Sequence, residues 1–149
     1  MNKRDDIIKK IDEIPSIPPS ITKVQKMLMD PDVDFDKLAE YIKYDQGLTA
    51  DVLKMANSTY FGFSREISSL KQAIVRLGLN RIFELTMTSA VVPIINKKII
   101  GYDLSKGDLW KHSIGVAISA EKIAKFLDMR VPPFTFTAGL LIDIGKVVM

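Results

Sequence analysis

The segment 45–81 constrains the fold of this chain most, because it contains two helical hydrophobic patterns separated by a short turn. The first pattern follows Asp45, a residue type that caps helix N-termini by accepting a backbone hydrogen bond. Asn, Ser, Thr and Gly then crowd together, which predicts that this helix ends near Asn57. The second pattern begins after Ser69, with Gln72 three residues on, the spacing of a capping box. The segment therefore predicts a helix, a turn and a second helix.

Other residues also mark the beginning or the end of predicted helices. Gly78 stands where a helix needs a residue of left-handed conformation after its C-terminus, and Asn80 is then placed to cap the next helix. Asp34 is predicted to cap an earlier helix, which explains the local run of acids without a calcium site. The remaining predicted helices span 2–13, 20–30, 35–44, 80–96, 105–127 and 134–149. Because almost no stretch alternates with period two over the length of a strand, the predicted fold class is all-α, a compact multi-helix bundle.

Two of these helices have features that affect their shape or packing. Pro93 lies inside 80–96, where it predicts a kink or an early end. The helix 105–127 carries apolar residues on one broad face that includes Leu109, Ala117, Ile123 and Leu127. Small residues near His112 in the same helix would permit close helix packing.

Composition limits the classes of function. The 149 residues suffice for one domain with a sizeable core, and we expect a single domain over 1–149 that begins with an amphipathic helix at 1–13. No cysteine is present and no apolar run reaches the ~20 residues of a membrane span, so a cytoplasmic protein without a membrane partner is expected. The net charge is +3, but Lys and Arg are scattered among acids. Nucleic acid is therefore not the expected partner.

Several strings together resemble one protein family. LTADVLKMANSTYFG, followed by ISSLKQAIVRLGLNRI, resembles the HDOD domain of bacterial signalling proteins. IPSIPPSITKVQKMLMDPDVDFDKLAEYIKYDQ resembles the opening of that domain, and LWKHSIGVAISAEKIAKFL with AGLLIDIGKVVM resembles its HD-derived part. The resemblance covers about 14–149. It implies an HD-related helical bundle whose family pattern continues past Met149, so the chain is expected to lack the C-terminal part of the family domain.

The HD motif is incomplete in this chain. HD phosphohydrolases hold divalent metal with a His, an adjacent His-Asp pair and a later Asp, which together activate a bound water. His112 stands at the first position, but the pair is replaced by Ile142-Asp143, and His112 is the single His of the chain. His112 and Asp143 are therefore interpreted as a remnant of the motif. We expect no metal, no cofactor and no catalytic residue; Asp143 is predicted to hydrogen-bond His112 or to cap local backbone.

The turn after the first helix of 45–81 allows two interpretations, and its residues are Asn57, Ser58, Tyr60, Phe61, Gly62 and Phe63. In the structural interpretation, the polar pair at its start satisfies the end of the helix. Phe61 then fills the core, and Gly62 permits a tight turn. In the functional interpretation, Tyr60 and Phe63 expose an aromatic patch for docking a partner, since aromatic residues dominate interface hot spots. The residues alone leave both open.

The resemblance implies a regulatory, protein-interaction output module of bacterial signal transduction. Its expected partners are receiver, diguanylate-cyclase or phosphodiesterase domains. Two alternatives remain: a degenerate metal-dependent phosphohydrolase, and a nucleic-acid or nucleotide-binding module. The helix 134–149 ends in Val147, Val148 and Met149. If these residues are exposed, they are expected to drive self-association.

Overall fold

The structure is a computed structural model that describes residues 3–128 and 135–149. Within these ranges, the secondary structure consists of helices and one isolated antiparallel bridge between Ile99 and Leu104. The α-helices are α1 (Lys3–Asp12), α2 (Pro19–Leu28), α3 (Phe35–Tyr44), α4 (Gln46–Ala56), α5 (Leu70–Leu77), α6 (Leu79–Ile95), α7 (Asp108–Phe126) and α8 (Thr135–Leu141). Two single-turn 3-10 helices span Ile100–Tyr102 and Ile144–Val147. The predicted all-α fold class is confirmed.

Three predicted caps are present where local sequence placed them. The Asp34 carboxylate accepts from the N–H groups of Asp36 and Lys37, at 2.9 and 3.2 Å, at the start of α3. The Asp45 carboxylate accepts from Leu48 at 3.0 Å, which begins α4. Capping succeeds as a prediction because donor and acceptor lie only two or three residues apart.

The third cap, at the start of α5, differs in one detail. The Ser69 hydroxyl accepts from the Gln72 N–H at 3.2 Å, as predicted. The Gln72 side chain, however, accepts from the N–H of Ser68 at 3.1 Å, one residue earlier than a capping box requires. Two neighbouring serines each offer a backbone N–H, and the Gln72 side-chain oxygen accepts from Ser68 and not from Ser69, the N-cap residue.

The boundaries of α6 and α7 differ from the prediction. The helix α6 already begins at Leu79, so Asn80 is its second residue and not its cap. Gly78 alone separates α5 from α6, with φ of 77°. Pro93 does not interrupt α6, which ends two residues later at Ile95. The helix α7 begins at Asp108 and not at 105, because residue 107 takes φ of 93° and cannot belong to a right-handed helix.

The chain divides into two compact units. One unit is Ile17–Ala90, and the other joins Met1–Ser16 to Val91–Met149. The prediction of a single domain over 1–149 stays a prediction, because two packed units can belong to one domain.

In the unit Ile17–Ala90, helices α2 to α5 and the first part of α6 surround one apolar core. Its fully buried side chains include Val24, Leu38, Ile42, Val52 and Ile82. Phe61 packs against this core from the turn after α4. The aromatic turn is therefore anchored in the hydrophobic core of its own unit.

In the other unit, α7 packs closely on α8. A Cβ at Gly139 would lie 2.7 Å from the Cα of Ala117, so the two backbones approach through a glycine. The buried face of α7 is formed by Leu109, Ser113, Ala117 and Glu121. The broad apolar face predicted for this helix is therefore buried only in part, since Leu109 and Ala117 are buried and Ile123 and Leu127 are exposed. Small residues allow a closer helix approach than bulky ones, and α8 uses that side.

The C-terminal segment also differs from the predicted long helix at 134–149. The α-helix ends at Leu141, and a 3-10 turn over Ile144–Val147 follows; position 134 lies outside the described residues. Val148 is buried, and Val147 is partly buried against the core that contains Leu109 and Leu140. Of the three terminal apolar residues, only Met149 is largely exposed. Self-association through these residues stays a prediction, and they expose little apolar surface that could drive it. Within the described part of the chain, none of the helices has both the length and the apolar content that a bilayer crossing needs.

Candidate functional site

His112 and Asp143, which the family resemblance interprets as a remnant of the HD motif, are brought together by α7 and the turn that follows α8. His112 lies on the first turns of α7, and its Nε2 atom is 2.9 Å from Oδ2 of Asp143. The two residues are thirty-one positions apart in sequence (143 − 112), and the close packing of α8 on α7 brings them together. His112 is about half exposed and Asp143 largely covered. The predicted pairing of these two side chains is present.

Lys146 completes this cluster. Its Nζ atom lies 2.8 Å from the same Oδ2 atom of Asp143, one turn along the chain. The ammonium also lies over the ring of Tyr102, 5.6 Å from the ring centroid. The hydrogen bond from Lys146 lowers the pKa of Asp143 from its ordinary value, with His112 contributing less. Asp143 is thus held as a carboxylate by a lysine, which is a charge pair that needs no metal.

The donor set does not fit the metal site of HD phosphohydrolases. The carboxylate oxygen that faces His112 already has an ammonium at hydrogen-bond distance, and a divalent cation there would be repelled by it. Position 142, where the motif requires a second imidazole, is an isoleucine whose side chain is exposed. His112 and Asp143 together offer one nitrogen and one carboxylate, fewer than the three protein ligands typical of a catalytic centre.

The second candidate site is the turn between α4 and α5, which Asn57 braces. The Asn57 amide donates to the carbonyls of Leu53 and Ile67, at 2.9 Å each. Its side-chain oxygen accepts from the N–H of Ile67 at 2.8 Å. Asn57 therefore closes the end of α4 and ties it to Ile67, ten positions later, which is itself fully buried. Sequence reasoning identified Asn57 as a helix-end residue but not Ile67 as its partner.

The aromatic side chains of this turn form one cluster. The rings of Tyr60 and Phe61 meet edge to face with centroids 5.0 Å apart, and Phe61 and Phe63 stack at 6.3 Å. Phe61 packs on the core, whereas Tyr60 is 44% and Phe63 38% exposed. Gly62 lies between them with φ of 63°, a left-handed conformation that a side chain would strain. The turn thus presents two partly exposed rings, those of Tyr60 and Phe63, and both contact the partly buried ring of Phe61.

Arg76 extends the aromatic cluster. Its guanidinium lies 5.7 Å from the centroid of Phe63 and donates to the carbonyl of Arg65 at 3.2 Å. Ser58 contributes through its backbone, since its carbonyl accepts from the N–H of Phe61 at 3.2 Å. Arg76 was not identified from sequence, because its contact with Phe63 spans a turn and a helix and leaves no local pattern.

Comparison with known proteins identifies the family. The model of the HDOD domain matches residues 14–149, which is nearly the whole chain. The chain belongs to the HDOD family. The predicted resemblance is confirmed, and it covers the range that the sequence motifs indicated.

Solved HDOD-like structures share this fold. An HDOD domain protein of unknown function from Geobacter sulfurreducens is 34% identical, with a TM-score of 0.74 over 96% of this chain. A protein named "Putative phosphohydrolase" from Shewanella amazonensis SB2B is 32% identical, with a TM-score of 0.70 over 95% of this chain. This HDOD chain spans 48% and 49% of those two chains. An uncharacterized protein of Treponema pallidum (strain Nichols) is 27% identical over 143 residues, which are 95% of this chain and 27% of that protein.

Proposed function

We propose that this HDOD chain is a non-catalytic regulatory module of bacterial signal transduction, which acts in the cytoplasm by binding partner proteins. One observation carries the non-catalytic part. The oxygen of Asp143 that faces His112 is paired with Lys146, so a lysine takes the position beside the carboxylate that a metal ion needs. The motif residues then stabilise the contact between α7 and the turn after α8.

The interaction part of the proposal is supported by the aromatic turn. Tyr60 and Phe63 expose ring surface, and their positions are held by stacking on Phe61 and by the Asn57 hydrogen bonds. Rigid aromatic side chains lose little conformational entropy on binding, and they are enriched at interface hot spots. The expected partners are signalling proteins that contain receiver, diguanylate-cyclase or phosphodiesterase domains.

The experiment that tests this role is affinity capture from the lysate of the native host, with a Tyr60→Ala/Phe63→Ala double variant. The matched control is Tyr44→Ala, which removes a more exposed tyrosine from the end of α3. We expect a signalling protein that binds wild type and the control, and that the double variant loses while keeping its circular dichroism spectrum. A partner retained by the double variant would contradict docking through the aromatic turn.

The second candidate function is a degenerate phosphohydrolase. It is favoured by the name of the Shewanella relative, which is 32% identical. This function requires bound divalent metal and turnover of a phosphoester that His112→Ala abolishes. Metal analysis and a phosphoesterase assay of the wild type, each compared with His112→Ala, separate the two functions. Stoichiometric metal together with His112-dependent turnover would overturn the non-catalytic proposal.

A further inference from the structure

Helix α7 has an apolar face that its own unit does not bury. The core side of α7 is occupied by residues such as Ala117, which meets Gly139 of α8. On the outward side, Ile123, Phe126 and Leu127 are 58%, 88% and 58% exposed. Exposed large apolar side chains are ordinary when single, but these three, at the C-terminal end of α7 and its cap residue, form a patch.

This patch continues toward the N-terminus of α7 as a shallow and open surface depression of about 510 Å³, which is formed by α7 alone and is called the groove below. Small side chains form its floor, and the lining residues are Lys111, His112, Gly115, Val116, Ser119, Ala120 and Ile123. A Cβ at Gly115 would meet no atom within 4 Å among the described residues. The glycine is therefore not needed for packing inside this unit, unlike Gly139. From Lys111 to Phe126 the face is roughly 22 Å long, enough to hold an α-helix of about 15 residues.

The charges beside this face indicate what can cover it. Lys111, Lys122 and Lys125 are exposed along one flank of α7. The acidic residue within the last turns of α7, Glu121, lies on the buried face, and the exposed Asp128 follows Leu127 beyond the helix. Asp108 is near Lys111, at 3.9 Å, but it precedes the groove. A second copy of α7 packed antiparallel would place this lysine flank against its own equivalent, because the same flanks adjoin in an antiparallel pair. Like charges so arranged oppose association.

We propose that the outward face of α7 binds an amphipathic helix of a partner protein, whose apolar stripe enters the Gly115–Ser119 groove and whose acidic flank faces Lys122 and Lys125. Gly115 and Ser119 are small, so the partner backbone can approach closely. Ile123 and Phe126 are exposed in the unbound chain and supply the apolar area that the partner helix covers. This inference rests on the proposed interaction role and names the partner of a second surface, in the unit that does not contain the aromatic turn.

The test uses a labelled synthetic helical peptide of about 18 residues, with Leu and Ala on one face and Glu on its flanks. Binding to the full chain is followed by fluorescence anisotropy, and a peptide with Lys in place of Glu serves as its charge control. We expect saturable binding of the acidic peptide, at least about tenfold tighter than the basic one, and weaker at high salt. Equal affinity for both peptides, or no binding of the acidic one, overturns the proposal.

Three variants locate the site. Gly115→Leu fills the groove where a side chain has open space, and we expect it to fold and to lose about tenfold or more in affinity. Lys122→Glu/Lys125→Glu is expected to prefer the basic peptide. Val75→Asp, which changes an exposed residue of α5 in the other unit, is expected to bind like wild type. Undiminished binding to Gly115→Leu contradicts the proposed site.

Two further results separate the alternatives. Sedimentation of the wild type alone is expected to show no dimer. A dimer that Gly115→Leu dissociates would mean that a second copy of this chain covers the face, and this result would overturn the proposal of an acidic partner helix. The Tyr60→Ala/Phe63→Ala variant is expected to keep its affinity for the acidic peptide. If docking through the aromatic turn fails its test, the proposal of an acidic helix on α7 is unaffected. If the acidic helix fails its test, docking through the aromatic turn is likewise unaffected.

Discussion

His112 and Asp143 form a hydrogen-bonded pair, with Nε2 of the imidazole 2.9 Å from Oδ2 of the carboxylate. In HD phosphohydrolases, residues at these positions are ligands of one metal. Here the carboxylate oxygen is shared with Lys146, and the pair connects α7 to the turn that follows α8.

The His112–Asp143 pair is expected to contribute little to stability. His112 is about half exposed, and ion pairs in such positions are screened by water, so His112→Ala should lower the free energy of unfolding by less than about 1 kcal/mol. Urea denaturation followed by circular dichroism measures the change. A loss above about 2 kcal/mol would show that the imidazole has a packing role beyond this pair.

Asp45 is expected to matter more for stability than an ordinary surface acid. Its carboxylate caps α4 at Leu48 and also accepts from the Ser20 hydroxyl at 2.7 Å. Asp45→Ala should therefore lower the free energy of unfolding by about 1–2 kcal/mol. Asp32→Ala, in the exposed loop before α3, is the control and is expected to change it by less than about 0.5 kcal/mol. Equal effects of the two substitutions would contradict the capping role.

The same carboxylate predicts a pH dependence. The Leu48 N–H and then the Ser20 hydroxyl lower the pKa of Asp45 below its ordinary value. A depressed pKa in the folded state stabilises the fold above the pKa of the unfolded chain, about 4, and this contribution is lost as pH falls through the folded value. Wild type should exceed Asp45→Asn in free energy of unfolding at about pH 6, and the difference should shrink toward about pH 2. A difference that does not change with pH would be inconsistent with this linkage.

Asn57 is expected to be a structural residue of the aromatic turn. Asn57→Ala removes two donated hydrogen bonds and leaves the buried N–H of Ile67 without its acceptor. The free energy of unfolding should fall by about 1–3 kcal/mol. The comparison is Asn80→Ala, at an exposed position near the start of α6, which is expected to be near neutral. Thermal and urea denaturation of both variants measure the contrast, and a neutral Asn57→Ala would refute the brace.

Two helical glycines are expected to respond oppositely to alanine. Gly139→Ala places a Cβ 2.7 Å from the Cα of Ala117, and the resulting separation of α7 and α8 should cost about 1–3 kcal/mol. Gly115→Ala meets open space and should be neutral or stabilise by up to about 1 kcal/mol, since alanine favours helix. Parallel denaturation curves test the pair. A stable Gly139→Ala would mean that α8 can move away from α7 without loss.

Much of the local structure could be predicted because its causes lie within four residues. The caps show this, since the carboxylates of Asp34 and Asp45 accept from backbone N–H groups two or three residues later and so fix where α3 and α4 begin. The errors have equally local physical causes. Gly78 takes the whole connection between α5 and α6, so Asn80 became helical, and the positive φ at Gly107 delayed the start of α7.

The candidate site could be predicted in part. The resemblance to the HD motif leaves two roles open for Asp143, pairing with His112 or capping local backbone, and it does not indicate Lys146, although the spacing of Lys146 from Asp143 is one helical turn. The link from Asn57 to Ile67 and the position of Arg76 over Phe63 depend on how a turn folds back on a helix, which no local pattern records.

The sequence by itself determined the all-α class, the caps at Asp34, Asp45 and Ser69, and the family, since periodicity, capping geometry and motif strings are properties of neighbouring residues. The tertiary structure decided which part of α7 is buried. The buried face carries Ser113 and Glu121 beside Leu109 and Ala117, so hydropathy alone does not single it out. The side with Ala117 is buried because Gly139 lets α8 approach its backbone, and Ile123 with Phe126 is left exposed.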